Sequence, residues 1–436
     1  MYLALPIISI LLFFSCAQVP QSQLEWNRSI DIATGKGTKG SWQQNESIYD
    51  YVDDATVALS ENTINVAWVD QKMKDVFFQQ VAPDGLHKLG NPINISQSPT
   101  TFSWIPRIVV APNVPERILV VWQEIIFSGG SHGGDIMYAS SIDNGKTFSR
   151  PVNLSRSIGG DGKGRINEEI WTNGSYDIVA GNNGKIVIAW TEYNGPLWVS
   201  TSSNYGTSFS KPRIIAGHPG ALPARAPALA LNAKNEVFLA WTKGEEAKAD
   251  IMIQKSKNGG THFESAKIIA KTNGYSDSPE ISFDSEGTLH VVFAESMGGP
   301  FDQFTVLYSR SKDDAQTFEL TKVISNPAPD SIVSSRYPDL SLSGRHIYVS
   351  WELYHDVKSD SSGLGMAISS DAGQNFSAPS IIPGSKDPEG GTNGSHQGLL
   401  NSKLASNTSG LVSIVNSSLK LNKHSRIWLM TAHPLK

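Results

Sequence analysis

Two arginines and an aspartate stand at similar intervals along the chain and could hold an anionic ligand. Arg225, Asp277 and Arg336 follow one another at distances of 52 and 59 residues. Guanidinium groups bind a planar carboxylate through paired hydrogen bonds. The spacing predicts that Arg225 and Arg336 bind one carboxylate together, with Asp277 between them. The alternative is an ion-pair network in which the arginines only neutralise Asp277.

Histidines and glycines offer two further kinds of chemistry. Four of the ten histidines lie in long loop segments, at positions 132, 218, 355 and 396. Histidine can hold a metal or act as a general base, but none of these shows His-x-x-x-His spacing, so we predict neither a metal site nor a cofactor. The glycine-rich run 159–164 lacks the Gly-Lys-Ser/Thr ending of a phosphate loop, which argues against nucleotide binding.

The elements that must position these residues form a repeat of 50 to 70 residues. Each copy contains two stretches in which apolar and polar residues alternate, as they do in β-strands. A turn joins the two stretches, and the second one ends near a large apolar residue. Glycine and proline, 38 and 23 in number, indicate many turns and argue against long helices. The markers of the repeat are Trp68, Trp122, Trp190, Trp241, Phe293, Trp351 and Val415.

A short motif follows the third strand in five copies of the repeat. Asp or Asn at its third position can hydrogen-bond the backbone, and glycine supplies a positive φ, so the motif closes a tight hairpin whose last residue, Phe, fills the core between sheets. It resembles the Asp-box of sialidase-type β-propellers, and the resemblance runs from about residue 24 to the end. The copies span residues 141–148, 202–209, 256–263, 311–318 and 369–376.

This resemblance implies an all-β propeller of four-stranded antiparallel blades. Seven markers predict seven blades, and six blades, the number in sialidases proper, is the alternative. The carboxy-terminal repeat supplies only three strands, so we expect the amino-terminal strand, within residues 24–32, to close the ring and remove its free edges. We predict a single propeller domain over residues 24–436.

The resemblance also implies where a substrate binds. In such propellers the starts of the inner strands and the ends of the second strands share one face, and Trp104, Arg225, Asp277 and Arg336 fall at inner-strand starts. Sialidases hold the sialate carboxylate with three arginines. Here Trp104 occupies the place of the first arginine, and Arg107 lies three residues later.

Sialidase-type catalysis further implies a tyrosine nucleophile beside a glutamate, and an aspartate as general acid. The candidates are Glu192 with Tyr193, and Asp161 in the glycine-rich run, while Asp277 is a further catalytic candidate. An alternative follows from the repeat itself, because an acid ends the second strand in several copies and could merely cap that strand. These acids are Asp70, Glu124, Glu192, Glu295 and Glu352.

The amino terminus resembles a bacterial lipoprotein signal. Residues 3–14 are an apolar run too short to span a bilayer, and Cys16, the single cysteine, follows it. We therefore expect a signal peptide at residues 1–15, lipidation at Cys16 and a tether at 16–23. The protein would be exported to the bacterial cell envelope and anchored at the outer membrane or its periplasmic face.

The charge balance limits the partners that we expect. The 41 acidic and 36 basic side chains leave a formal charge of −5, which does not indicate a nucleic-acid partner. The leading function is exo-α-sialidase-like hydrolysis of an anionic glycan, either sialic-acid-like or uronate-like. The alternatives are a glycan- or protein-binding propeller without catalysis, and a uronate polysaccharide lyase. We expect a monomer that meets the membrane through its lipid anchor alone.

Overall fold

The stretches of alternating apolar and polar residues form strands, and each repeat folds as one four-stranded antiparallel sheet. The structure is a computed structural model that describes residues 24–126, 133–157, 159–246, 249–326, 328–386 and 403–435. Seven sheets are arranged in a ring around a central channel. The predicted all-β propeller with seven blades is therefore confirmed, and the six-bladed alternative is wrong.

The first four blades follow one another from residue 52 to residue 268, each built from the inner strand outwards. The first holds β5 (Val52–Leu59), β6 (Ile64–Asp70), β7 (Asp75–Val81) and β8 (Lys88–Asn94). The second holds β9 (Ser103–Val110), β10 (Ile118–Glu124), β11 (Asp135–Ser141) and β12 (Val152–Asn153). The third holds β15 (Tyr176–Ala180), β16 (Ile186–Thr191), β17 (Leu197–Ser202) and β18 (Arg213–Ala216). The fourth holds β19 (Ala224–Leu231), β20 (Val237–Lys243), β21 (Asp250–Ser256) and β22 (Lys267–Ile268).

The last three blades complete the ring. The fifth holds β23 (Tyr275–Phe283), β24 (Leu289–Ser296), β25 (Thr305–Ser311) and β26 (Lys322–Val323). The sixth holds β27 (Ser334–Ser343), β28 (His346–Tyr354), β29 (Gly363–Ser369) and β30 (Ser380–Ile381). The seventh holds β31 (Leu404–Ser406), β32 (Val412–Lys420) and β33 (His424–Pro434), together with β1 (Leu24–Trp26) and β2 (Ile30–Gly35) from the amino terminus.

The amino-terminal segment closes the ring as predicted. Both β1 and β2 pair antiparallel with β33, with Leu24 opposite Pro434 and Ile30 opposite Leu429. The outer strand of this blade is in two pieces, because residues 27–29 leave the ladder between β1 and β2. The backbone groups of β33 are thus paired on both sides, which leaves no exposed edge there.

Two small hairpins interrupt the connections between blades. One is formed by β3 (Thr38–Lys39) and β4 (Tyr49–Asp50), and the other by β13 (Lys163–Arg165) and β14 (Trp171–Asn173). They precede β5 and β15, which are inner strands, so both hairpins lie where inner strands begin. A 3-10 turn, Asn182–Gly184, joins β15 to β16.

The inner strands carry a recurring distortion near their first residues. In five of them the pairing register shifts, and a non-glycine residue there has a positive φ of 47 to 56°. Such β-bulges bend a strand and redirect its side chains, and left-handed backbone is costly for these residue types. The left-handed residues are Asp54, Ile105, Ala226, Ser278 and Tyr337.

The five motif turns share one set of hydrogen bonds. The serine hydroxyl donates to the Asp or Asn side chain at 2.8 to 2.9 Å and accepts from the backbone N–H four residues later at 2.8 to 3.0 Å. In three of the five, the phenylalanine that ends the motif packs edge-on against an aromatic ring of the preceding blade, as in Phe148 on Phe78 and Phe376 on Tyr308. These turns therefore hold neighbouring blades together.

The predicted signal peptide, tether and lipidated Cys16 lie outside the described residues. Within the described ranges no helix is long and apolar enough to cross a bilayer.

Candidate functional site

One face of the ring gathers the predicted site residues. Inner strands begin and second strands end at this face, which we call the channel-mouth face, because every inner strand runs in the same direction through the ring. Trp104, Arg225, Asp277 and Arg336 all lie at inner-strand starts, beside the bulges described above. The five motif turns lie at the opposite face.

Arg225 is buried and bonded within the protein. Its side chain is 2% exposed, and its Nη2 lies 3.3 Å from Oδ1 of Asp277. It also donates to the carbonyl of Gly244 at 2.7 Å and to the phenol of Tyr275, whose ring its guanidinium covers at 5.1 Å. Asp277 in turn accepts from Thr242 Oγ1 at 3.0 Å.

This arrangement matches the alternative role, an internal ion pair, for Arg225 and Asp277. The shared clamp predicted for Arg225 and Arg336 is not assembled, because Arg225 directs its donors into the wall between the fourth and fifth blades. Burial and the neighbouring Asp277 carboxylate raise the pKa of Tyr275, which makes its phenol a poor nucleophile at neutral pH.

Arg336 has different surroundings. It is half-buried, donates from Nε to Ser334 Oγ at 3.2 Å and from Nη2 to the carbonyl of Asp302 at 2.6 Å, and stacks over Phe304 at 4.6 Å. In the part of the chain that the structure describes, no carboxylate lies within 4 Å of its guanidinium. Its charge is therefore not neutralised by an ion pair there.

Arg336 lines a narrow pocket with a cavity volume of about 20 Å³, which we call the arginine pocket. Tyr275, Asp277 and Tyr337 line it too, so it lies between the fifth and sixth blades. Burial raises the pKa of Tyr337, and the Arg336 guanidinium beside it opposes that shift. The pocket thus combines one cation, one carboxylate and two phenols.

Arg107 lies deeper, within the channel. Its side chain is 3% exposed, and its Nη1 is 3.4 Å from Oδ1 of Asp177, whose other oxygen accepts from the Leu229 amide at 2.7 Å. Burial and the nearby Asp177 carboxylate raise the pKa of Glu280. Arg107 is part of this buried channel network, and the structure does not bring it together with Arg336.

Trp104 belongs to a second pocket of about 190 Å³, which we call the tryptophan pocket. Trp42, 48% exposed in the loop between β3 and β4, lies 5.4 Å from the Trp104 ring. Trp171 on β14 forms another part of the wall, and Lys163 on β13 and Asn173 supply polar groups. Three indole rings and an ammonium group therefore line one cavity at the channel-mouth face.

The proposed acid and nucleophile do not meet in a pocket. Asp161 is fully buried and accepts from Ser157 Oγ at 2.7 Å. Burial raises its pKa to about 7, a value suited to a general acid, but its carboxyl has no exposed path to a substrate. Glu192 accepts from Trp198 Nε1 at 3.2 Å, while the Tyr193 phenol donates to the carbonyl of Glu168 at 2.6 Å. The Glu192 carboxylate and the Tyr193 phenol thus have separate partners, which does not support their predicted pairing.

The acidic residues at the ends of the second strands accept hydrogen bonds from neighbouring segments. Glu124 accepts from Ser103 Oγ at 2.7 Å and from Trp122 Nε1 at 2.9 Å. Asp70 accepts from the amides of Lys72 and Met73 at 3.0 and 3.1 Å. These bonds agree with the capping alternative stated above.

The histidines give no sign of a metal site. His355 contacts Ser331 at the surface, and positions 132 and 396 lie outside the described residues. Among the residues that the structure describes, no group of three His, Cys, Asp or Glu side chains could hold a metal ion.

Sequence reasoning missed several lining residues. Trp42, Lys163 and Trp171 lie in connections between blades that have no counterpart in the other repeats, so alignment of repeats could not place them. Tyr275 and Tyr337 lie in inner strands and follow from the register of Asp277 and Arg336, since Tyr275 lies two residues before Asp277 and Tyr337 lies directly after Arg336. The glycine-rich run that contains Lys163 was the available signal for the tryptophan pocket.

No protein-family model and no curated protein matches the chain in sequence. Among solved structures, a polysaccharide lyase described as an ulvan lyase bound to -[GlcA(1-4)Rha3S]- is similar with a TM-score of 0.55 at 11% identity, over 92% of this chain and 95% of that one. The polysaccharide lyase Uly1 has a TM-score of 0.54 at 10% identity, over 94% and 100%. A Trypanosoma rangeli sialidase reaches 0.46 at 11%, over 77% and 58%. Identities this low show a shared propeller fold alone.

Proposed function

We propose that the protein binds an acidic saccharide at the channel-mouth face and that Arg336 binds its carboxylate. The observation that carries the proposal is the unequal pairing of the three predicted arginines. Arg225 and Arg107 are held by Asp277 and Asp177, whereas the guanidinium of Arg336, which lines the arginine pocket, has no carboxylate within 4 Å among the described residues. A guanidinium group in this state retains donors for a ligand carboxylate.

The walls of the arginine pocket suit the acidic group of a sugar. Phe304 and Tyr354 stack on the guanidinium at 4.6 and 5.4 Å and fix its plane. The phenol of Tyr275 is buried and engaged by Arg225, so Tyr337 supplies the phenol that can bond to a sugar hydroxyl. The cavity itself measures only about 20 Å³, room for a group about the size of a water molecule, so it admits the acidic group while the sugar ring lies at its mouth.

For the reaction, we favour β-elimination from a uronate over hydrolysis of a sialoside. Elimination requires a cation on the carboxylate, which acidifies the neighbouring C5–H, and a side chain that takes this proton and returns it to the C4 oxygen, which leaves as the C4–C5 double bond forms. Arg336 and the phenol of Tyr337 could meet these needs within one pocket. The three-arginine arrangement of sialidases would require Arg225 and Arg107, whose guanidinium groups are engaged elsewhere. Two lyases, one of them holding a glucuronate-containing saccharide, share this fold over more than nine tenths of the chain.

The test compares Arg336→Ala with a matched arginine variant. Arg345 is exposed in the turn between β27 and β28, in the same blade but at the opposite face, so Arg345→Ala is the control. Each protein is incubated with uronate polymers, where elimination gives an ultraviolet-absorbing unsaturated product, and with a fluorogenic sialoside. Binding of the same uronate oligosaccharides is measured by calorimetry.

We expect the wild type and Arg345→Ala to yield unsaturated product, and Arg336→Ala to lose binding by about 10- to 150-fold, as for one charge-assisted hydrogen-bond pair of about 1.5 to 3 kcal/mol. Sialoside cleavage without elimination would instead identify a hydrolase. Binding without either product would identify a non-catalytic propeller. Unchanged binding by Arg336→Ala would refute the site.

A further inference from the structure

The tryptophan pocket has features that the arginine pocket does not explain. Trp42 is nearly half exposed at its rim, and Trp104 is 5% exposed at its base. Trp104 donates through Nε1 to Gln71 at 3.3 Å, which fixes the orientation of its ring. Trp171 is partly exposed as well, and aromatic side chains gathered around a cavity are typical of ligand-binding sites.

Lys163 is the second unusual feature of this pocket. Its residue is 7% exposed, its Nζ lies 5.7 Å from the Trp171 ring, and it donates to Asn173 Oδ1 at 3.1 Å. No carboxylate lies within ion-pair distance of it in the described ranges. Burial lowers its pKa to about 8. An ammonium group that is buried without a counter-ion is costly, and an anion entering the pocket would relieve that cost.

We propose that the tryptophan pocket is a second saccharide subsite, in which a sugar ring stacks on Trp42 while its carboxylate or sulfate group binds Lys163. Asn173, already bonded to Lys163, provides an amide for a neighbouring hydroxyl. The indole rings present apolar faces to the C–H groups of a sugar ring, and the ammonium group makes the subsite selective for an acidic unit. This inference rests on the proposed function, because a single saccharide would occupy both pockets.

The hairpin of β13 and β14 links the two pockets. Lys163 and Trp171 face the tryptophan pocket, while Ile166, three residues after Lys163, lines the arginine pocket. At about 3.3 Å per residue of extended chain, these two positions are roughly 10 Å apart. A short acidic oligosaccharide crossing the hairpin would place one anionic group at Arg336 and another at Lys163.

The experiment measures affinity against chain length and charge. Hyaluronan, heparosan, oligogalacturonate and κ-carrageenan fragments of two and six sugar units are titrated calorimetrically, with fully methyl-esterified oligogalacturonate as the neutral counterpart. The first three carry carboxylates, and κ-carrageenan carries sulfate as its anionic group, so the panel distinguishes the two anions. The variants are Trp42→Ala, Trp42→Phe and Lys163→Met, with Lys312→Met as the control, since Lys312 is exposed at a motif turn of the opposite face.

In the wild type we expect at least one acidic hexamer to bind about tenfold or more tightly than its dimer. Trp42→Ala and Lys163→Met should abolish this increase in affinity with chain length, whereas Trp42→Phe and Lys312→Met should keep it. Each variant is first shown to melt near the wild-type temperature, and Lys163→Met should not melt lower because it removes a buried charge.

The outcomes separate this subsite from the arginine pocket. If Arg336→Ala loses binding while Trp42→Ala and Lys163→Met keep the gain with length, the second subsite is refuted and the proposed function stands. If Arg336→Ala keeps its binding while Trp42→Ala and Lys163→Met lose the gain with length, the tryptophan pocket stands and Arg336 does not bind the ligand. If the wild type binds no acidic fragment of the panel, both proposals are refuted.

Discussion

The buried pair of Arg225 and Asp277 gives the sharpest test of how this face is built. Arg225 is 2% exposed and keeps its charge, because Asp277 and Tyr275 raise its pKa against the effect of burial. Asp277→Asn would leave this cation without its carboxylate. Removing one partner of a buried ion pair lowers the free energy of unfolding by about 3 to 5 kcal/mol. Because Asp277 is 17% exposed, we expect a loss at the lower end of this range, about 3 kcal/mol.

A melting experiment can detect a change of this size. Unfolding entropy of about 2.1 cal/mol/K per residue gives roughly 0.9 kcal/mol/K for a domain of this length, so 3 kcal/mol lowers the melting temperature by roughly 3 to 4 °C. The double variant Arg225→Leu/Asp277→Asn removes both charges and should recover most of the loss, with a coupling free energy of about 2 kcal/mol.

The same variants also distinguish scaffold from site. Arg336→Ala, which breaks no ion pair among the described residues, should change the melting temperature by less than about 1 °C. Additive effects of Arg225→Leu and Asp277→Asn, or single losses below about 1 kcal/mol, would show that Arg225 is not held as an internal ion pair. The assignment of Arg225 to the scaffold and Arg336 to the site would then be refuted.

Three further predictions concern ring closure, pH and anchoring. Deleting residues 24–32 should cost several kcal/mol, since it exposes the edge of β33, and a wild-type melting temperature would contradict closure by this strand. Asp161 has a folded pKa of about 7, above its unfolded value of about 3.9, so the folded state binds more protons between these values and loses stability as pH rises from 4 to 7. In chemical unfolding, Asp161→Asn should therefore raise the free energy of unfolding little at pH 4 and by about 3 to 4 kcal/mol at pH 8. An increase that does not depend on pH would contradict this. We propose that Cys16 anchors the protein, so Cys16→Ser should move it from the membrane to the soluble fraction, and persistent membrane association would count against lipidation.

The fold could be predicted from the sequence because its determinants are local and repeated. Each marker tryptophan sits at the same place in a strand, and each motif turn forms the same bonds, so alignment of repeats gave the number of blades. The same alignment placed Arg225, Asp277 and Arg336 at inner-strand starts. Closure by the amino-terminal strand followed from counting strands in the last repeat.

The site could be predicted only in part, because side-chain direction and loop position are not repeated properties. The bulges at Ala226 and Tyr337 are alike, yet Arg225 turns to Asp277 of the next blade while Arg336 stacks on Phe304. Lys163 meets the tryptophans only because an inserted hairpin crosses the channel-mouth face. Such contacts join segments distant in sequence and leave no periodic signal.

The most direct measurement is a crystal structure of the protein with an acidic hexasaccharide that it binds. We expect a ligand carboxylate bonded to the guanidinium of Arg336, with N···O distances of about 2.7 to 3.0 Å, in a pocket lined by Tyr275 and Tyr337. A saccharide bound with its carboxylates away from Arg336, or at the opposite face beside the motif turns, would contradict it.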